Sequence, residues 1–506
     1  MAGPDLDELF GEASHGPDSA AAHEEQVGGT GVPCRPHHAL LHVVGLTLET
    51  ELGEDVLGLG ASRLQQYEGE DDDIDEEDVP TDRAVALLLI SARAAFARRD
   101  WTACSASAAE ARAGAFQLLT DSWRSNAATR YLDIWQCPTH KHCDLPEAAY
   151  MPLVLAELLL AVCAAAEGDS LAAVRHADVA FAYAGPGSAR NATLLFSKCL
   201  ADEVAASRPP CAGAVASASF VSGKPRCVSR PLLAMPVTPV ERWLPPKRLL
   251  PDFTGSAIAA PDREELESLL SKGMPFVTKE PIESWPASTR WASLSYLDGV
   301  AGHHSVPVKH SAHDEVTFMT VSDFLANHLV PSCKHCNAQP GILRSLLSSR
   351  STEGEEHLAG LAPHELFEQC PALRGDVPQL AAPFRQARGR IRRTSVWLGT
   401  HNVATANCCS AQDQCIVQIF GVRYAILFPP KAAKVFSKAS EKDIRYHGGI
   451  SEVDVEDKRL LKQHPGLAQM PAQVAELSPG DLLFIPRGWW HQIRSLSPAC
   501  SVSLRF

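Results

Sequence analysis

Short apolar runs rich in β-branched residues, separated by Pro and Gly, dominate the sequence after about residue 236. Such runs favour extended backbone, and the intervening Pro and Gly end it. The predicted strands are residues 276–277, 306–308, 395–398, 416–420, 424–428 and 481–485. Gly421-Val422-Arg423 lies between two of these runs and suits a hairpin turn. The pattern predicts a β-rich domain over residues 236–506, which we expect to fold without the rest of the chain.

Residues 81–206 have a different texture, rich in Ala and Leu. Apolar residues such as Val85, Leu88, Leu89 and Ala92 recur at helical spacing. Helices are predicted over residues 83–99, 102–119, 148–166 and 169–184. The segment therefore reads as an all-helical domain, although no fixed period identifies it as a helical-repeat array.

Two further segments have the composition of linkers or tails. Residues 1–80 are rich in Gly, Pro and acidic residues, and they end in the acidic run 68–78. Such a run stays solvated, so the segment is predicted to be a disordered tail that serves either as an interaction site or only as a linker. Residues 207–235 contain Pro209-Pro210 and many Ser and Ala, which is typical of a linker.

Charge and cysteine content restrict the classes of partner and compartment. The chain carries 46 Lys and Arg against 60 Asp and Glu, a formal net charge of -14, which argues against a broad nucleic-acid surface. The longest apolar run, residues 153–166, contains Glu157 and is shorter than the roughly 20 residues of a membrane span. The acidic N-terminus is unlike a secretory signal, and 15 cysteines is an odd number. We expect reduced thiols, no membrane segment, and a cytoplasmic or nuclear protein.

A family resemblance rests on the C-terminal motifs. Residues 477–496, with Pro486-Arg487-Gly488-Trp489-Trp490-His491, resemble the last strands of JmjC-type oxygenases, and residues 291–297 and 319–325 resemble the start of that domain. The resemblance covers roughly residues 240–506. It implies an α+β chain in which a helical domain precedes a double-stranded β-helix, the cupin-like jelly roll. It also implies the activity class of protein hydroxylases and lysine demethylases that use Fe(II) and 2-oxoglutarate.

The iron-binding positions implied by this resemblance are incomplete. Such enzymes hold iron through two His and one carboxylate. Trp397-Leu398-Gly399 and Gln418–Gly421 match family motifs, and their spacing places the first His and the acid on Cys408 and Ser410. His491 stands at the second His position. His401 and Asp413 are nearby alternatives, but they lie twelve positions apart.

Cys408 and its neighbour Cys409 have two readings. As a thiolate, Cys408 could join His491 on a soft metal such as zinc, or both cysteines could be small buried residues.

The positions that the resemblance assigns to 2-oxoglutarate binding match the family more closely than the iron positions do. They carry Thr405, Gln414 in place of the usual Asn, and Arg423 in place of the usual Lys. An Arg can bind a carboxylate through two hydrogen bonds. Arg423 either faces inward, as strand alternation allows, or is a solvated residue of the hairpin.

Two functions remain open from the sequence. One is a non-catalytic or weakly active binding protein with a degenerate iron site, and the other is an active oxygenase of protein or tRNA with a non-standard metal site. A protein or peptide, as substrate or binding partner, is the expected partner. Cys333-Lys334-His335-Cys336 could supply zinc ligands, with plain loop thiols as the alternative. The basic stretch 385–393 could bind an acidic partner or act as a nuclear signal, and an exposed charged loop explains it equally well.

Overall fold

The computed structural model describes residues 81–125, 147–184, 188–207, 215–219, 226–230, 256–257, 263–279, 285–310, 316–329, 359–361, 366–378, 391–405, 407–436, 449–451, 455 and 470–506. The predicted tail, residues 1–80, lies outside these residues. Within the predicted linker, two short strands pair antiparallel, Val215–Ser219 with Arg226–Arg230. The domain boundaries proposed from the sequence remain predictions.

Helices make up the described part of the N-terminal half. The longer ones are α1 Thr81–Ala97, α2 Trp101–Ser125, α3 Glu147–Ala166, α4 Ser170–Tyr183 and α5 Ser188–Ser207. Each packs against the next along the chain. The apolar α3 is buried along most of its length, and its buried Glu157 carboxylate pairs with Arg112 and His176. The prediction of a helical N-terminal region is confirmed, although the sequence pattern did not single out α5.

Short helices and turns connect the strands of the C-terminal half. They are α6 Arg263–Lys272, α7 Pro286–Arg290, α8 Leu294–Ala301, α9 Val321–Phe324, α10 Leu366–Gln369, α11 Pro371–Gly375 and α12 Ala433–Phe436. A π-helical turn, Leu325–Leu329, follows α9, and a 3-10 turn, Pro430–Ala432, precedes α12.

Two larger sheets form the framework of this half. After β1 Val215–Ser219 and β2 Arg226–Arg230, the strands are β3 Ser256–Ala257, β4 Phe276–Lys279, β5 Ser305–His310, β6 Val316–Thr320, β7 Ala359–Leu361, β8 Arg393–Gly399, β9 Cys408–Cys409, β10 Gln414–Phe420, β11 Arg423–Phe428, β12 Gly449–Ile450, β13 Gln473–Leu477, β14 Asp481–Ile485, β15 Trp490–Ser495 and β16 Ala499–Arg505. One sheet has the order β4-β14-β10-β16-β8-β7-β5-β6 and the other β12-β9-β15-β11-β13-β3. Among the described pairings of these two sheets, only β13 with β3 is parallel. Each predicted strand lies within or overlaps an observed one.

The predicted hairpin at Gly421 is wrong. Strand β10 pairs with β14 and β16, whereas β11 pairs with β13 and β15, so the chain changes sheets between them. Gly421 has φ +73°, and a Cβ there would lie 2.1 Å from the Pro498 carbonyl oxygen. The Gln418 side-chain amide donates to the carbonyls of Phe420 and Gly421. The Gln-x-x-Gly motif therefore stabilises a crossover between sheets instead of a hairpin.

A buried carboxylate joins the helical half to the strand-rich half. Asp178 on α4 accepts hydrogen bonds from Ser197 Oγ at 2.6 Å, Gln369 Nε2 at 2.6 Å and the Ser305 amide at 2.7 Å. Its other neighbour is the imidazole of His304, with Nδ1 at 3.2 Å. Burial opposes the charged imidazolium, but Asp178 and Cys370 raise the pKa of His304 well above its ordinary value. The two halves thus share one polar core.

Ring packing extends this contact: Tyr183 and Phe318 lie 5.6 Å apart between ring centroids. Within the described ranges, the structure contains no helix with both the length and the apolar character that crossing a bilayer requires.

Candidate functional site

Strand pairing brings Cys408 and His491 together. The two residues are partners in the β9–β15 register, and Cys408 Sγ lies 3.7 Å from His491 Nε2. His491 Nδ1 lies 3.2 Å from the Trp489 carbonyl oxygen, to which it donates, so Nε2 presents its lone pair to the thiol. Burial lowers the pKa of His491 to about 4, with Arg505 and Arg423 acting in the same direction. The imidazole is therefore neutral at pH 7.

Ser410 lies in the turn after β9, where both its hydroxyl and its carbonyl accept hydrogen bonds. Its hydroxyl accepts a hydrogen bond from the Gln412 amide at 3.0 Å, and its carbonyl accepts one from the Gly488 amide at 2.8 Å. At the position where the family has an acid, the residue therefore stabilises a turn.

The structure places the two alternative ligand residues, Asp413 and His401, at other points of the fold. One carboxylate oxygen of Asp413 accepts the Arg487 amide at 2.8 Å, in an exposed loop. His401 precedes Asn402, whose amide bonds to the Ser495 carbonyl, four residues along β15 from His491. Four strand residues span about 13 Å. The fold thus separates His401 from His491.

Arg423 faces inward and is 2% exposed. Its Nη1 donates to Ser501 Oγ at 2.7 Å, across to the other sheet. Its guanidinium carbon lies 3.8 Å from the centroid of the Trp397 ring, a cation–π contact. Burial lowers the pKa of Arg423 to about 9, so the group stays charged at neutral pH. The solvated reading of Arg423 is therefore wrong.

The guanidinium of Arg423 lacks a counter-ion within the part of the chain that the structure describes. No carboxylate there lies within ion-pair distance, and Arg423 Nε is buried without a hydrogen-bond acceptor. A buried cation normally has an anionic partner. The uncompensated charge of Arg423 is consequently suited to an anionic ligand.

The other two candidate residues lie one against each large sheet. Thr405 Oγ1 accepts the Ile493 amide at 3.0 Å, which places it two residues from His491 along β15. Gln414 Nε2 donates to Ser503 Oγ at 2.9 Å, whereas Gln414 Oε1 is buried without a partner. The structure therefore groups Thr405 with the His491 strand and leaves Gln414 an acceptor to offer.

Three residues of this region were not singled out from the sequence: Trp397 as a ring under Arg423, and Ser501 and Ser503 on β16. A signal for the serines was present, because polar residues alternate along β16 at positions 501, 503 and 505. The Trp397-x-Gly399 motif also has a steric reason, since a Cβ on Gly399 would lie 2.5 Å from the Trp397 ring.

The residues at the iron positions do not fit an iron site of the two-His, one-carboxylate type. They offer one imidazole and one thiol, while the Ser410 hydroxyl is bonded to its own turn. No group of three or more His, Cys, Asp and Glu that could hold a metal occurs among the described residues. Iron in such sites needs the carboxylate and the second imidazole.

Comparison with known proteins identifies the strand-rich half. A model of the cupin-like domain matches residues 261–506. The chain is 27% identical over 247 residues to Jumonji C domain-containing protein 5 of Drosophila melanogaster, covering 48% of this chain and 57% of that protein. The C-terminal half is a cupin-like JmjC domain.

Two further relatives match the JmjC domain. Lysine-specific demethylase 8 of Xenopus tropicalis is 30% identical over 241 residues, covering 45% of this chain and 47% of the relative. The human tRNA wybutosine-synthesizing protein 5 is 25% identical over 233 residues, covering 43% and 66%. The chain spans about half the length of the first two of these relatives.

Proposed function

We propose that this chain is a JmjC-domain binding protein that has lost the family's iron chemistry and keeps a pocket for a small dicarboxylate. The observation that carries the first part is the pairing of His491 with Cys408, at 3.7 Å, where the family has a second imidazole. Loss of one imidazole and one anionic ligand removes most of the affinity for Fe(II) and its geometry. Under this proposal the protein has at most weak oxygenase activity.

The dicarboxylate pocket is supported by Arg423. A planar guanidinium that is buried without a carboxylate partner can hold one carboxylate of 2-oxoglutarate through two hydrogen bonds. Ser501 and the Trp397 ring already fix the orientation of the guanidinium, so little side-chain entropy is lost on binding. Gln414 Oε1 and Thr405 complete the polar lining.

The architecture around this pocket is proposed to be a double-stranded β-helix, with the two large sheets as its faces. The domain division is proposed as 1–80, 81–206, 207–235 and 236–506. A protein or peptide partner is proposed for the helical half or the mouth of the pocket, in the cytoplasm or nucleus. The net charge of -14 does not favour nucleic acid.

The experiment that tests the loss of iron chemistry uses the purified full chain. After anaerobic incubation with Fe(II) and removal of free metal, we expect substoichiometric iron by elemental analysis and 2-oxoglutarate decarboxylation at background. Cys408→His with Ser410→Asp together should raise the iron content, whereas either change alone should do little. Stoichiometric iron with turnover that His491→Ala abolishes would overturn the proposal.

The second candidate is an active oxygenase of a protein or tRNA with a non-standard metal site. It is favoured by the same Cys408–His491 pair, because a thiolate and an imidazole are ligands of softer metals. Elemental analysis of the chain for zinc, copper and iron, with and without Cys408→Ala, separates the two functions. A stoichiometric metal that this change removes, with turnover, would support the second.

A further inference from the structure

Arginines from three strands lie along one end of the larger sheet. Arg393 begins β8 and stands opposite Arg505 at the end of β16. The Arg392 amide donates to the Arg505 carbonyl at 2.8 Å. Arg487 follows β14, and its amide donates to an Asp413 carboxylate oxygen at 2.8 Å. We call Arg392, Arg393, Arg487 and Arg505 the arginine row.

The arginine row crosses four neighbouring strands, whose order in the sheet is β14-β10-β16-β8. Asp413 precedes β10, and its carbonyl accepts the Phe506 amide at 3.1 Å, which connects β10 to the end of β16. Neighbouring strands lie about 4.8 Å apart, so the row spans about 14 Å. An extended peptide of about four residues covers that length.

The charge of the arginine row is opposite to that of the whole chain. The chain has a formal net charge of -14, whereas the row gathers four cations, with the Asp413 carboxylate between Arg487 and Arg505. Arg392 and Arg487 are exposed, and the other two are half-buried. Arg393 and Arg505 are direct cross-strand partners, and like charges in that arrangement repel each other. An anionic group placed against both relieves this repulsion.

The chemistry of the arginine row favours a peptide over a nucleic acid. A guanidinium binds a carboxylate or a phosphate through two parallel hydrogen bonds. The Asp413 carboxylate within the row repels a phosphodiester backbone, which has no N–H donors, whereas a peptide has backbone N–H groups between its acidic side chains. We propose that the arginine row binds an extended acidic segment of another protein. This assignment rests on the protein partner proposed above and gives that partner its chemistry.

The arginine row borders the candidate site. Gly488, the residue after Arg487, donates its amide hydrogen to the Ser410 carbonyl at 2.8 Å. Ser410 stands at the position where the family has its acid. A segment bound to the row therefore lies next to the turn that carries the degenerate iron position.

The test measures the binding of a fluorescein-labelled peptide to the purified full chain by fluorescence anisotropy. The probe is a peptide of about eight residues in which Glu and Ser alternate, and the same peptide with Gln in place of Glu is its uncharged form. We expect saturable binding of the Glu peptide that weakens as sodium chloride rises from about 50 to about 300 mM, because salt screens exposed charges. The Gln peptide should not bind.

Charge reversal of the two exposed arginines tests the position of the surface. Arg392→Glu with Arg487→Glu should weaken binding of the Glu peptide at least about tenfold, because each exposed ion pair contributes about twofold to fivefold and the new carboxylates repel the peptide. Arg392→Gln with Arg487→Gln, which removes the charge alone, should weaken it about threefold to tenfold. The second variant guards against a folding defect in the first.

The matched control makes the same change of net charge on the helical half. Arg98→Glu with Arg99→Glu alters two exposed residues between α1 and α2. We expect this variant to bind the Glu peptide within about twofold of the wild type, because surface charges more than about 10 Å apart are largely screened at 0.1 M salt.

The outcomes separate the arginine row from the pocket at Arg423. Equal weakening by the control and by the row variants would overturn the assignment, since net charge alone would then attract the peptide. Saturable binding of the Gln peptide would overturn it as well. Oligouridylate that binds tighter than the Glu peptide, and loses affinity in the row variants, would replace the acidic segment with a nucleic acid. Failure of the Glu peptide to bind would remove the row as a partner site and leave the dicarboxylate pocket standing, whereas loss of dicarboxylate binding alone would leave the row standing.

Discussion

Asp178→Ala removes the acceptor of buried donors that come from both halves of the chain. The carboxylate is fully buried, and its partners are Ser197, His304, the Ser305 amide and Gln369. Three of these belong to the strand-rich half. We expect the variant to lose stability in both halves together.

The magnitude follows from the groups left without a partner. A buried donor that loses its acceptor costs about 1–3 kcal/mol, and a buried charge pair that loses one member costs about 3–5 kcal/mol. These costs overlap because one carboxylate serves all the donors, so we expect about 3–5 kcal/mol in total. Domains are stable by about 5–15 kcal/mol, so the variant should fold with a much lower urea midpoint.

Urea unfolding, followed by circular dichroism and by tryptophan fluorescence, measures the effect. Asp169→Ala is the matched control on the same helix: Asp169 is exposed and caps α4 by accepting the Ala172 amide at 2.9 Å. Loss of that cap should cost about 1 kcal/mol. Ser197→Ala, which removes a single donor, should also cost about 1 kcal/mol. The reasoning is refuted if Asp178→Ala costs no more than Asp169→Ala.

Four further predictions follow from the fold and the pocket. Asp178 raises the folded pKa of His304 above its unfolded value of 6.5, so the stability that this pair contributes is fully present below pH 6.5 and is lost as pH rises through the folded pKa. In alkaline buffer the urea midpoint of the wild type should therefore fall toward that of His304→Gln. A difference between the two midpoints that stays constant with pH would contradict this. Arg423→Ala should abolish the rise in melting temperature that 2-oxoglutarate causes, whereas Arg423→Lys should keep part of it; at a hundred times Kd, linkage supplies about 2.7 kcal/mol, and a shift that survives in Arg423→Ala would count against the pocket. Gly421→Ala places a Cβ 2.1 Å from the Pro498 oxygen and should lower the urea midpoint well beyond Gly480→Ala, where a Cβ meets nothing within 4 Å; equal effects would show that the crossover tolerates a side chain. Residues 236–506 expressed alone would lack Asp178 and the hydrogen bonds that it forms with the strand-rich half. We therefore expect this fragment to aggregate, whereas the sequence predicts that it folds independently. A soluble, cooperatively unfolding fragment would support the sequence prediction instead.

The sequence by itself determined where most elements lie and which motifs they carry. Helical spacing in residues 81–184 and β-branched runs after residue 236 are local patterns, and local sterics favour helix or strand over a few residues. Spacing from Trp397 to Gln418 was enough to place Cys408 and Ser410 at the family's ligand positions. These inferences needed no knowledge of which strands pair.

Tertiary structure decided the rest, because partners distant in sequence leave no local pattern. The crossover at Gly421 has the composition of a hairpin, and only the pairing of β10 and β11 with different strands distinguishes the two. Arg423 could face either side until Ser501, 78 residues away, and the Trp397 ring were brought beside it. Asp178 and His304, 126 residues apart, meet only when the helical half packs on the strands. Burial and hydrogen bonding of such groups depend on which surfaces meet, and the alternation of residues along one strand cannot specify that.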